Sequence, residues 1–445
     1  MLFQTTVLFS ILSTLVSASC SLSSDGNYYC SQTSKVIFEG VGFSGSYKKV
    51  TDMIESSGTC SQETFNFSGN LSPLDEELSV HFRGPLHLLQ FGVYYPVANN
   101  KKKRDADSTD CVTKQHHKHR RAVVYGEVTQ TVYVDANGNT VAGSSSSTPT
   151  TLVSSIANAV GGSVSSSLTT LETATVSTSI ASTSSASSAT SSPASNGGSS
   201  TANTGDWERA SYYSAGSSFD NVTFMNYYGG SGSGVWSASF GNSISYCNSD
   251  ASGGSAKSVA LDSTTIKSNV EFMIFSSNAC SGNDCGYYRE GIPAYHGFGG
   301  AEKIFVFEFQ MPSDTSGNGY NQDMPAIWLL NAQIPRTLQY GDASCSCWKT
   351  GCGELDLFEI LSAGSDKLIC HLHDGQGAAP FSNNGGGGSQ NYFARPTTGT
   401  MKAAVIFTGS DIHIMEVDDD FSAILSADTV SGWVNTPGSV ASIGY

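Results

Sequence analysis

The chain is poor in charge. Only 13% of its 445 residues are Asp, Glu, Lys or Arg, and the acids outnumber the bases 38 to 22. A nucleic-acid-binding protein would concentrate Lys and Arg on a face or in a motif, and this composition excludes one. No window carries a long helical period of apolar residues, which argues against a helical fold. Neither a His-Glu-x-x-His sequence nor a nucleophile elbow is present, so metalloprotease and serine protease readings have no support. The longest apolar stretch near the start, Val7 to Val16, is too short to cross a bilayer comfortably. No membrane partner is expected. The last residues, Ser442-Ile-Gly-Tyr445, lack the apolar tail of a lipid-anchor signal. The expectation is a soluble chain, or one held in place by disulfides or sugar linkages.

What is abundant points to strands and turns. The 47 glycines, 22 phenylalanines and 19 tyrosines, with many Ser and Thr, favour short strands separated by tight connections. Residues 1–18 read as a secretory signal, with small residues at Val16-Ser17-Ala18 for cleavage. All 11 cysteines follow it, which fits an oxidising compartment. The sequons at Asn66, Asn70 and Asn221 agree with secretion.

Five segments follow from composition: the signal at 1–18, a small β module at 19–100, a basic segment at 101–121, a linker at 122–206 and a larger domain at 207–445. The basic segment carries Lys101-Lys-Lys-Arg104 and His116-His-Lys-His-Arg-Arg121. Its dibasic pairs, between a folded module and a linker, suit cleavage by a kexin-type protease after Arg121. The Ser/Thr-rich linker cannot bury enough apolar area to offset chain entropy, and it reads as a disordered, O-glycosylated stalk. The last segment is the size of one large β-sandwich. Its strand candidates include Glu302–Met311, Lys367–His373, Met401–Phe407 and Asp411–Val417, the last two joined at Thr-Gly-Ser. The fold expected is all-β.

One strand carries three acids. In Gly353-Glu-Leu-Asp-Leu-Phe-Glu359 a regular strand would put Glu354 and Asp356 on one face and Glu359 on the other. A single bulged residue after Asp356 would bring all three to one face. The two glutamate backbones would then stand roughly 13 Å apart. Side chains reaching about 4 Å each would bring the carboxyl groups to roughly 5 Å, the separation of a retaining glycosidase. A strand whose acids simply face solvent is the competing reading of the triplet alone.

The surrounding sequence supplies a resemblance. The triplet resembles the Glu-x-Asp-x-x-Glu signature of laminarinase-like family-16 glycoside hydrolases. Phe305-Val-Phe-Glu-Phe-Gln-Met-Pro312 and Met324-Pro-Ala-Ile-Trp-Leu-Leu330 precede it, and His371-Leu-His373 follows, in that family's order. The whole chain also resembles a fungal wall-protein family of Tos-type glycosyl hydrolases, including Phe67-Ser-Gly-Asn-Leu-Ser-Pro-Leu-Asp-Glu-Glu-Leu-Ser-Val-His-Phe-Arg-Gly-Pro85. The resemblance implies a β-jelly-roll catalytic domain acting on cell-wall β-1,3-glucan, in a secreted protein of the fungal wall. It implies Glu354 as nucleophile, Asp356 as assisting acid and Glu359 as acid/base. Trp328 and Trp348 would line the sugar cleft, with His373 near the substrate or the nucleophile.

Two departures stand out: Cys345, Cys347 and Cys352 precede the acid strand, and Trp348 lies one residue further from Glu354 than the usual pattern. Those cysteines, with Cys370-His371 beyond, could be read as zinc ligands, but disulfides suit a secreted chain better. No metal and no cofactor is expected. Glycine residues 385–388 lack the Lys-Ser/Thr of a phosphate loop and read as a mobile loop. Tyr287-Tyr-Arg289 and Tyr392-Phe-Ala-Arg395 fit sugar contacts or packing equally well. The functional alternatives are a retaining endo-glucanase or glucanosyltransferase and a non-catalytic, glucan-binding wall protein.

Overall fold

The computed structural model describes residues 20–23, 26–97, 205–338 and 341–444. The expected signal segment, the basic segment with its expected cleavage site, and the expected linker up to residue 204 lie outside the described residues. The principal strands, in chain order, are β1 (Lys35–Phe38), β2 (Gly45–Ile54), β3 (Thr59–Phe67), β4 (Leu78–Arg83), β5 (His87–Pro96), β6 (Trp207–Ser214), β7 (Thr223–Asn226), β8 (Glu271–Phe275), β9 (Lys303–Gln310), β10 (Ala326–Asn331), β11 (Glu354–Glu359), β12 (Lys367–His373), β13 (Met401–Thr408), β14 (Asp411–Glu416) and β15 (Ser439–Ile443).

They form two layers. The front layer runs β7–β8–β4–β10–β11–β12, antiparallel throughout. The back layer runs β6–β5–β9–β13–β14–β1, also antiparallel, with β15 parallel to β1 at its edge. Phe82, Phe272, Ile327, Leu329 and Leu355 of the front layer meet Phe91, Phe305, Phe307 and Val405 of the back layer in one core. The rings of Phe82 and Phe307 lie 6.3 Å apart, and those of Phe309 and Phe358 lie 5.3 Å apart. The architecture is the expected β-sandwich.

The middle of the back layer is buried on both sides, so β9 and β13 are apolar along most of their length rather than alternating. Ile304 and Val306 of β9 turn outward under a second cluster with Trp207, Phe421, Val430 and Trp433. Val430 and Trp433 belong to a helix, α1 (Ala427–Asn435), capped at its start by the Ser426 hydroxyl, which accepts from the Thr429 N–H. At its other end the Lys35 ammonium donates at 2.8 Å to the carbonyls of Trp433, Val434 and Thr436. No long helical period announced this element, because its apolar residues are few.

The stretch expected as a separate module at 19–100 is woven into the same sheets as 207–445. Strand β4 lies between β8 and β10, β5 lies between β6 and β9, and β1 pairs with β14. Leu78 to Phe82 are all buried. A segment of this size folding alone has too little interior to bury strands on both faces. The glycine run at 385–388 is a loop only in its first half. Gly387–Gly388 pairs with β12 on one side and β15 on the other, joining the layers at their edge. A Cβ at Gly388 would stand 2.2 Å from the His371 ring.

Candidate active site

The outer face of the front layer carries the acids. The bulge expected after Asp356 is present: pairing with β12 shifts register between Asp356 and Glu359, and pairing with β10 shifts at the matching place. Leu357 and Phe358 both enter the core, and the alternation slips by one residue. Glu354, Asp356 and Glu359 therefore share the outer face. Opposite them on β10 stand Leu330, Trp328 and Ala326, and beyond those on β4 stand Ser79, His81 and Arg83. On the other flank, His373 faces Glu354 and His371 faces Asp356.

The side chains converge. Carboxyl and imidazole atoms of Glu354, Asp356 and His373 lie within 4.8 Å of one another, and so do those of Asp356, Glu359 and His371. These two trios are also the side chains of the face that could offer ligands to a cation. Cys280, Asp284 and Cys285 form a third such cluster, but both its thiols are consumed in a disulfide. The Trp348 indole N–H donates to Glu354 Oε2 at 2.6 Å. His373 Nε2 stands 3.4 Å from Asp356 Oδ2, and an Arg83 nitrogen stands 3.4 Å from Glu359 Oε1.

These partners are few for three carboxyl groups. Burial, then the nearby Asp356, push the Glu354 carboxyl up to about 8, against the pull of the Trp348 bond. Burial drives Asp356 well above the usual carboxylate range, with Glu359 adding to it. Glu359 is also raised by burial, and Arg83 opposes the shift. Three crowded acids cannot all ionise together, so the row shares protons among its members.

Each expected site residue lies on this face or at its rim. Trp328 is only 6% exposed, its ring 5.2 Å from that of His81 and 6.0 Å from the Arg83 guanidinium. It forms the floor beside Asp356 and offers little open platform. Trp348 sits in a turn clamped by Cys347–Cys352, and Cys60–Cys345 ties the same loop to the β2–β3 hairpin. The cysteines that depart from the laminarinase pattern thus hold the tryptophan that bonds Glu354. Cys247 and Cys370 are free and buried, so the odd cysteine count of 207–445 is resolved by the pairing of Cys345 with Cys60.

Sequence reading missed Arg83 and His81 as site residues. Both stand in the stretch that carries the wall-protein resemblance, but only β4 lying beside β10 brings them to the acids. His81 is fully buried and its ring pushed down to about 3 by burial, so it is a neutral partner for Ser79 Oγ, 2.8 Å away. Arg395, weighed as a sugar contact, is buried packing: it donates to the carbonyls of Met311 and Pro312 and pairs with Asp323 at 2.5 Å. Arg289 is likewise buried, donating to the Gly241 carbonyl.

Two family models cover the folded stretches. Residues 205–433 match the C-terminal model of the cell wall protein YJL171C/Tos1, and residues 34–96 match its N-terminal model. The chain belongs to the YJL171C/Tos1 cell wall protein family. It is 59% identical over its whole length to all of a Candida albicans protein named "Probable circularly permuted 1,3-beta-glucanase TOS1". It is 57% identical, over 98% of this chain and 97% of the other, to the Saccharomyces cerevisiae protein of the same name. A more distant Arthroderma benhamiae relative, named "Probable circularly permuted 1,3-beta-glucanase", is 34% identical over 89% of this chain and 87% of its own. No solved structure matches the chain.

Proposed function

We propose that this protein is a retaining, endo-acting glycoside hydrolase or glucanosyltransferase of the fungal cell wall, acting on β-1,3-glucan. The observation that carries the reading is the bulge in β11, which turns three partly desolvated acids to one face. The names of its relatives supply the glucan and its linkage. Their circular permutation accords with β1, β4 and β5 filling interior sheet positions although they come first in the chain.

Glu354 would attack the anomeric carbon while Glu359 protonates the leaving oxygen, giving a covalent glycosyl-enzyme. Attack requires Glu354 ionised. Asp356, the most deeply buried of the row, would hold the shared proton and leave Glu354 free to act. Trp348 fixes one Glu354 oxygen and favours its charged form. Glu359, raised by burial, would keep a proton to donate. It then acts as base toward the second acceptor: water for hydrolysis, a sugar hydroxyl for transfer. Four disulfides among the described residues support an extracellular setting. Processing near Arg121 by a kexin-type protease belongs to the same proposal, and intact 1–121 joined to the rest of the secreted protein in mass spectra would count against it.

The deciding experiment incubates wild type and Glu354→Gln with laminari-oligosaccharides and follows products and binding. Wild type should turn over, and the variant should lose at least roughly 10³-fold in kcat while still binding. Products longer than the substrate would assign transfer. Binding without turnover by wild type on any β-glucan would leave a structural, glucan-binding wall protein.

A further inference from the structure

The three sequons, at Asn66, Asn70 and Asn221, are not equivalent in the folded protein. An N-linked glycan replaces one of the two hydrogens on the asparagine Nδ2, and the sugar must leave that nitrogen toward solvent. Where both hydrogens are already committed to interior acceptors, a chain so modified cannot reach the same fold.

Asn221 is such a position. It is partly buried in the turn that leads into β7, with a left-handed backbone, φ 47°, that Asn adopts more readily than most residues. Its Nδ2 donates to the Ala210 carbonyl at 3.0 Å and to Ser211 Oγ at 3.1 Å, both on β6. Its Oδ1 accepts from the Ser277 N–H at 3.1 Å and from the Ser277 hydroxyl at 2.8 Å. One amide thus ties β6 to the segment that follows β8. A glycan would break one of the Nδ2 bonds and put its first sugar where the Ala210 carbonyl or the buried Ser211 stands.

The other two are open. Asn66 lies on β3 between Phe65 and Phe67, whose rings pack against the cluster that contains Trp328. Strand alternation turns Asn66 the opposite way, and it is exposed, paired across the hairpin with Ser46 of β2. Asn70 is also exposed, in the turn after β3. Neither side-chain amide is engaged among the described residues, so a glycan at either position leaves the fold's hydrogen bonds intact. The β2–β3 hairpin is a two-stranded sheet of its own, and a bulky sugar beside its open edge hinders pairing with another chain.

We infer that Asn66 and Asn70 are attachment sites for N-linked glycans in the secreted protein, and that Asn221 is an unmodified structural asparagine. The inference needs passage through the secretory pathway and is independent of the glucanase reading. At Asn66 the glycan stands on the outer face of the hairpin, turned away from the Trp328 cluster.

The test treats the folded, secreted protein with peptide N-glycosidase in heavy-oxygen water and maps the incorporated label by peptide mass spectrometry. Label is expected at Asn66 and Asn70 and absent from Asn221. A bare Asn66 or a bare Asn70 overturns that site, and a glycan at Asn221 overturns its structural role. Thermal unfolding supplies a second readout. Asn66→Gln and Asn70→Gln should each remove the mass of one glycan and move the unfolding temperature by no more than about 2 °C. Asn221→Gln should leave the glycan mass unchanged and lower that temperature by roughly 5 °C or more, because the longer side chain cannot meet the same partners. An Asn221→Gln protein as stable as wild type overturns the structural role. If that variant is not secreted at all, a bare Asn221 in wild type assigns the loss to the amide rather than to a missing glycan.

Discussion

Two buried charged regions of the front layer are built in opposite ways. At one end Arg395 is enclosed, and every nitrogen of its guanidinium finds an acceptor: Met311 O, Pro312 O, Ser365 O and the Asp323 carboxylate. On the outer face, three carboxyl groups share one indole N–H and two longer contacts at 3.4 Å. The fold evidently can satisfy buried charge. It does so for Arg395, and for Arg336, which donates to the Tyr295 and Cys285 carbonyls and to Glu77. Leaving the acids raised and under-partnered is therefore a feature of the face itself, and perturbed groups of this kind gather where chemistry is done.

The contrast breaks most visibly under mutation. Arg395→Met should cost roughly 3–5 kcal/mol, because it strands the Asp323 carboxylate and several carbonyls in the interior. Asp356→Asn should leave thermal stability unchanged or raise it, since it removes an acid that the fold holds protonated at a cost. Thermal unfolding of both variants decides the matter. Equal losses would mean that the acid row is as structural as the arginine. Separating Cys60 from Cys345 comes next. Cys345→Ala should cost about 2–4 kcal/mol in thermal or denaturant unfolding, since that bridge links segments 285 residues apart. A negligible loss would mean that the hairpin is held by Tyr47, whose hydroxyl donates to Glu76 Oε2, rather than by the crosslink.

The difference between the regions also sets what the sequence could reveal. The acid row was legible because its spacing violates strand alternation, and only a bulge makes Glu354, Asp356 and Glu359 useful together. The back layer was legible as apolar runs such as Phe305 to Phe309. Arg83 and His81 were not, since their role depends on β4 lying beside β10, some 240 residues later in the chain. Pairing at such separation leaves no local mark on composition. The same blindness made 19–100 look like a module of its own, because alternating strands read alike whether they pair with each other or with distant ones.

The pH dependence of stability sharpens the contrast further. A carboxyl raised by folding contributes stability that is complete below its unfolded pKa, about 4.3 for Glu. That contribution is lost as pH rises through the folded value, about 8 for Glu354. Glu354→Gln should therefore gain on wild type as pH rises from 4 to 8, in paired thermal scans. His81, pushed down to about 3, acts in the opposite sense but is common to both proteins and cancels. A difference that stays flat with pH would mean that Glu354 is not raised.

The smallest effects should be in the pH–rate profile, where the two partners of the row act on opposite limbs. The Trp348 bond favours the charged form of Glu354, so Trp348→Phe should raise that carboxyl's pKa. A nucleophile must be ionised, and the acidic limb of kcat/KM should move to higher pH. Arg83 favours the charged form of Glu359, so Arg83→Gln should raise the pKa of that acid. The acid must be protonated, and here the alkaline limb should move to higher pH while the acidic limb stays in place. Steady-state rates across pH on one laminari-oligosaccharide read both shifts. If Trp348→Phe moved the alkaline limb and Arg83→Gln the acidic one, the roles of Glu354 and Glu359 would be exchanged. If neither limb moved, the titrating groups would lie outside the row.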